Sequence, residues 1–155
     1  LRPWQDHRDS QMLPLKTGFS VVQTAHMAVL DDDFLPHVSR YPELACSFVS
    51  RAMQRSRHLA VNMAIVSQPR VDVRVHMLLW HLAGRWGRVR SDATVVRLRL
   101  THSLLAQLVA ARRPTVSSAV SDLARRGLVS AQGDDWLLTG EAPVELFDLN
   151  DLGRR

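Results

Sequence analysis

Arg112-Arg113-Pro114-Thr115-Val116-Ser117-Ser118-Ala119-Val120-Ser121-Asp122-Leu123-Ala124-Arg125-Arg126-Gly127-Leu128 is the stretch whose reading decides the fold. Val116, Val120 and Leu123 recur at helical spacing and predict one apolar face, with Gly127 as the terminating glycine. Just upstream, Thr101 to Val109 predicts a shorter helix capped by Thr101, with Leu105, Ala106 and Val109 on one face. Only Ala110-Ala111-Arg112 separates the two. Their apolar faces must therefore meet at a steep angle, which is helix-turn-helix geometry. Ala106 stands where the helices cross, and a larger side chain there would hold them apart.

The outer face of the second helix carries Arg113, Ser117, Ser118 and Ser121. Arginine suits guanine O6 and N7, and serine suits either a base edge or a phosphate, so these four are the candidate base readers. Thr101, His102, Ser103, Arg112 and Thr115 lie at the N-terminal ends of the two helices, where N–H groups and side chains face a phosphate strand. Leu128 to Ala131 and Trp136 to Thr139 flank Gln132-Gly133-Asp134-Asp135 and read as a β-hairpin, a wing whose tip residue Gln132 is a further phosphate candidate. An ordinary helical hairpin would share the apolar faces. The short turn, the clustered charge and the following hairpin favour a winged helix.

Charge supports that reading. The chain has 155 residues, a formal charge of +5 and a pI near 10.9. From Arg85 to Arg126 there are nine arginines against Asp92 and Asp122, a distribution suited to phosphate. An arginine-rich background weakens the argument, because basic residues comprise nineteen arginines and one lysine. No run approaches a membrane span, no signal peptide is recognisable, and a start at Leu1 suggests a fragment. A single cysteine, Cys46, excludes an internal disulfide and an all-cysteine metal cluster, and fits the cytoplasm.

Upstream, residues 19–30 are rich in β-formers and predict one or two strands, followed by a short helix from Phe34 to Val38. Tyr41-Pro42-Glu43 opens a long helix running to about Ser67, with proline at its first turn. Ala45, Ala52, Leu59 and Val66 recur every seven residues, with Val49, Ser56 and Met63 between them. Such a seam suits a two-fold dimer, with Ser56 helping to fix register; the plainer alternative is an amphipathic helix packed on its own domain. Pro69 ends this helix, Val71 to Trp86 forms the next, and Thr94 to Leu100 alternates apolar residues with Arg97 and Arg99 as a half-buried strand.

This order of elements resembles the C-terminal part of the cyclic-AMP-receptor-protein/FNR family of bacterial transcription regulators. Tyr41-Pro42-Glu43-Leu44, Val73-Arg74-Val75 before Leu78-Leu79, and above all Leu100-Thr101 through Leu128-Val129 carry the likeness, which spans roughly residues 19 to 140. The resemblance implies a mainly α (α+β) fold in three parts: residues 1–40 as the end of an effector-type β-barrel, 41–68 as a dimerisation helix, and 69–155 as a winged helix-turn-helix. It implies a homodimer on a two-fold site in double-stranded DNA, and leaves RNA polymerase open as a further partner. No phosphate cassette for a cyclic nucleotide is visible. Leu59 and Ala60 stand where cyclic-AMP binders contact adenine, and both are apolar, which counts against cyclic AMP; the effector is left open and no cofactor is expected in this chain. Arg113 and Pro114 fall at the family's base-reading arginine and glutamate, and Ser118 at a second arginine, so the family's best-known half-site is not expected. Ala110 stands where glycine is frequent in the turn.

No catalytic constellation and no metal site emerge. The seven histidines show no metal-binding spacing, and His76 and His81 are five apart, off a shared helix face, and read as surface or half-buried positions. Asp31-Asp32-Asp33 reads as helix-start charge rather than a cation site, and Cys46 as a small buried residue rather than an oxidant sensor. The alternative function is a degenerate winged helix that makes protein contacts without binding DNA.

Overall fold

The computed structural model describes Thr24, His26, Leu30 and residues 33–146. The strands expected over 19–30, the barrel end over 1–40 and the Asp31–Asp33 cluster fall wholly or largely outside these residues. The described elements are α1 (Leu35–Val38), α2 (Pro42–Ser67), α3 (Val71–Trp86), β1 (Gly87–Val89), β2 (Thr94–Val96), α4 (His102–Leu108), α5 (Arg113–Arg125), β3 (Val129–Gln132) and β4 (Asp135–Leu138). The four strands form one antiparallel sheet in the order β1-β2-β4-β3.

Helix α3 is the centre of the core. Its apolar run buries Val75, Met77, Leu78, Leu79 and Ala83, and it packs against α2, α5, β1 and β2. Leu105, Ala106 and Val109 close one side of that core, and Val116 and Leu123 another. Val96, Val129, Trp136 and Leu138 supply the sheet's inner face. Ala119 is buried beside Val116 and Leu123, whereas Val120, expected on the inward face, is half-buried.

Two further expectations change. The strand from Thr94 to Leu100 pairs only to Val96, because β4 offers Trp136 opposite Val96 and Asp135 turns away to β3. Beyond Val96 the alternation persists without a ladder: Leu98 and Leu100 pack on the core while Arg97 and Arg99 face solvent. Gly87 ends α3 as expected, and it also starts β1, a strand with no alternating pattern to announce it. The wing turn is tighter than expected, since Gln132 and Asp135 pair and leave Gly133-Asp134 as the two-residue connection.

Helix α2 is different in kind. At roughly 1.5 Å per residue its twenty-six residues span about 39 Å, yet Ile65 is its one buried residue. Its N-terminal half touches α1, where Phe34 and Phe48 meet edge to face at 5.9 Å. Cys46 is exposed, which corrects its reading as a buried residue. Gln68 is extended and precedes Pro69, so the helix stops there by steric exclusion, and α3 begins at Val71.

The turn between α4 and α5 contains the non-glycine residue with positive φ among those described, Ala110 at 49°. Ala111 N–H donates to Ala106 O at 2.9 Å, and Ala110 N–H to Gln107 O at 3.3 Å, a Schellman-type ending that requires the left-handed conformation. For alanine that conformation is unfavourable by about 1–2 kcal/mol. Glycine would remove the strain while raising unfolded-chain entropy by about 0.4–1 kcal/mol. Ala110→Gly is therefore expected to stabilise the protein by about 0.5–1 kcal/mol in urea unfolding; a loss of stability would show that the turn is unstrained.

Candidate nucleic-acid interface

The helix-turn-helix is assembled by local rules. Thr101 is extended and its Oγ1 accepts from Leu104 N–H at 3.2 Å, which starts α4. Arg112 is extended and starts α5 without a side-chain cap, and Pro114 in the first turn contributes no N–H. The first turn of α5 thus presents its backbone N–H groups outward, with Arg112, Arg113 and Thr115 exposed around it.

Of the candidate base readers, Arg113, Ser118 and Ser121 are exposed on the outer face of α5. Both serine hydroxyls donate back into the helix, Ser118 to Pro114 O at 3.2 Å and Ser121 to Ser117 O at 3.0 Å. Their oxygens keep lone pairs free to accept from a base amino group. Ser117 sits differently. It is half-buried, and its Oγ lies 2.9 Å from His102 Nδ1. The His102 ring also lies against Trp136, centroids 6.4 Å apart. His102 and Ser117, assigned separately to phosphate and base, thereby join α4, α5 and β4 at one point. Ser103 and Gln132 are exposed, Gln132 at the end of β3.

Electrostatics divide the basic surface. Arg99 pairs with Asp134 at 3.4 Å and Arg97 with Asp135 at 3.8 Å, so the wing tip is largely self-neutralised. Arg125 pairs with Asp122 on α5. Among the described residues, Arg112 and Arg113 have no acidic partner.

A second group of residues holds this face in place. Arg74 on α3 donates from Nη1 to Val109 O at 3.2 Å and to Ala110 O at 3.4 Å, and from Nε to Gln68 O. It thereby bonds the end of α2 to the turn between α4 and α5. Asp72, half-buried two residues earlier, takes two hydrogen bonds from Arg70 and lies 3.6 Å from Arg126 Nη1 at the end of α5. Partial burial works to raise its carboxyl, but the hydrogen bonds and charge of Arg70, with backbone N–H groups, outweigh it and leave the carboxyl below its ordinary value. His76 is buried, not at the surface, and its Nε2 accepts from Trp80 Nε1 at 3.0 Å. Burial, then the charge of Arg126, lowers its pKa, so it stays neutral there. Sequence reasoning missed this group. The signal is the guanidinium of Arg74 between Val73 and Val75, a charged group in a mostly apolar helix that needs acceptors such as carbonyls.

The chain is similar to known proteins over much of its length. Residues 73–140 match the Crp-like helix-turn-helix domain. A CRP-like cAMP-activated global transcriptional regulator of Mycobacterium tuberculosis is 29% identical over 127 residues, covering 81% of this chain and 57% of the regulator. Among solved structures, a CooA mutant from Carboxydothermus hydrogenoformans aligns with a TM-score of 0.63 at 18% identity, covering 77% of this chain and 53% of CooA. CprK complexed with OCPA aligns with a TM-score of 0.59 at 14% identity, covering 70% and 51%. Residues 73–140 thus carry a Crp-like helix-turn-helix domain, and the chain is similar over 127 residues to a curated CRP-like transcriptional regulator. It spans little more than half the length of the curated relatives it matches.

Hydrogen bonds to a charged donor contribute about 1.5–3 kcal/mol in partly buried surroundings. Arg74→Met keeps the aliphatic stem and removes the donors. Urea unfolding should show a loss in that range, and a change under about 0.5 kcal/mol would mean that water satisfies the carbonyls equally well.

Proposed function

We propose that this chain is the DNA-binding part of a transcription regulator and binds a two-fold operator in double-stranded DNA as a homodimer. The observation that carries the reading is the exposed, unneutralised Arg112–Arg113 pair at the start of α5. It lies on a helix-turn-helix whose other charged surfaces are largely paired. Residues 69–155 form the reading unit in this account, and 41–68 the dimerisation helix. RNA polymerase is its further partner, in the cytoplasm. No helix among the described residues is long and apolar enough to cross a membrane. Leu59 and Ala60 offer no hydrogen-bonding group to an adenine, so the signal is one other than cyclic AMP held against that helix.

Arg113, Ser118 and Ser121 supply base contacts in this reading, with Ser117 held in place by His102. Arg112, Thr115, Thr101, Ser103 and Gln132 supply phosphate contacts. Gel-shift titrations on a selected operator and on random duplex test the division. Arg113→Ala should lose about 1–3 kcal/mol on the operator and relax specificity at one position per half-site. Arg112→Ala should weaken every sequence alike and reduce the salt slope by about one unit. Binding to neither duplex at low salt would favour a protein-contact module instead.

The seam on α2 supports the dimer. Val49, Leu59 and Met63 are 63%, 55% and 70% exposed, an apolar stripe that nothing else in the described chain covers. Two copies meeting on this stripe would bury it and bring two recognition helices to two half-sites. Leu59→Glu would place like charges across the axis. Sedimentation should then show a monomer, with operator binding lost and the winged helix folded. A variant that remains dimeric would place the interface elsewhere.

A further inference from the structure

His58 on α2 and His81 on α3 meet where the long helix docks on the winged helix. Their rings stand edge to face, centroids 5.3 Å apart and planes at 64°. Both residues are half-buried, and His58 Nε2 is shut off from solvent with no hydrogen-bond partner. Val61 and Ile65 follow His58 on the same face of α2, and Leu78 precedes His81 on α3, so the contact is embedded in apolar packing.

The surroundings hold nothing to neutralise a charge there. On α2 the nearby charged groups are Arg55 and Arg57, and on α3 Arg85, whose guanidinium lies over the Trp86 ring at 4.8 Å. All are cations. Burial first, and then the charge of His58, hold His81 below the ordinary imidazole value. Of the other elements packed on α3, α5 carries Arg113, Asp122 and Arg125 and β1 carries Arg88, whereas β2 carries no charged residue.

We propose that the His58–His81 pair is a proton-controlled latch between α2 and the winged helix. Neutral, the two rings pack and keep α2 docked on α3. Charged, two imidazolium ions about 5 Å apart in apolar surroundings repel and part the helices at the Gln68–Pro69 hinge. The sign follows from linkage. His81 binds a proton less readily docked than undocked, so docking is complete above the ordinary imidazole pKa near 6.5 and weakens as pH falls below it. The latch stands on the geometry alone; only its effect on operator binding rests on the proposed function.

The test needs no DNA. Cys46, exposed on α2, and a cysteine introduced by Ser130→Cys on β3 take a pair of spin labels, with the labelled chain diluted into excess unlabelled chain. The distance should widen between pH 8 and pH 5.5 in the otherwise native chain, with a midpoint below 6.5. It should stay constant in His58→Gln/His81→Gln. Equal widening in both, or none in either, overturns the latch, and an acid response due to His76 would appear as the first of these outcomes. Histidine proton titration of the unsubstituted chain gives a second reading free of folding defects. His81 should titrate below 6.5 and rise in His58→Gln, whereas an ordinary, independent His81 overturns the proposal. A moving hinge with no binding to either duplex at any pH would count against the DNA-binding reading and leave the latch standing.

Discussion

The carbonyls of Val109 and Ala110 close α4 without a helical partner, and the Arg74 guanidinium supplies one to both. A helix-turn-helix depends on the angle between its helices, and that angle is set in the three residues of this turn. Ala110 holds the left-handed conformation, Ala106 permits the close crossing, and Arg74 fixes the turn to α3. The same guanidinium reaches Gln68 at the end of α2, while Asp72 reaches Arg126 at the end of α5. The first turn of α3 therefore gathers the ends of three other helices, and the position of the recognition helix is fixed by groups far from its outer face.

Much of this was legible in the sequence because short-range rules decide it. Thr101 capping, Pro114 in a first turn, Gly127 at φ 70° and the alternation through Trp136 and Leu138 are local signals, and the elements they predict are present. The failures share a different cause. Strand β1 exists because β2 offers it a ladder, not because Gly87-Arg88-Val89 has a pattern. Ser117, expected on the exposed face of α5, is half-buried because folding brings His102, fifteen positions earlier, against it. Pairings across elements are where one-dimensional reading loses its hold.

The charge distribution repeats that lesson for the candidate site. A sequence count treats Arg97, Arg99, Arg112, Arg113, Arg125 and Arg126 alike. Folding gives four of them an acidic neighbour and leaves Arg112 and Arg113 without one. Exposed pairs add little to stability, commonly about 0–1 kcal/mol. Their effect here is to concentrate uncompensated positive charge at the open N-terminus of α5, where the helix dipole has the same sign and attracts the same ligand.

Helix α2 then poses the remaining physical question. A helix with one buried residue in twenty-six has little tertiary packing of its own, and helices in proteins gain most of their stability from such packing. Nothing else among the described residues covers its apolar stripe of Val49, Leu59 and Met63. What ties it to the reading unit is a short contact near its C-terminal end, with Ile65 in the core, Gln68 bonded to Arg74 and His58 against His81. A long lever attached through so few groups can be redirected by any one of them. Rotation of α2 about its C-terminal end would be transmitted to α4 and α5 through Arg74, because that single guanidinium bonds the carbonyls on both sides of the joint.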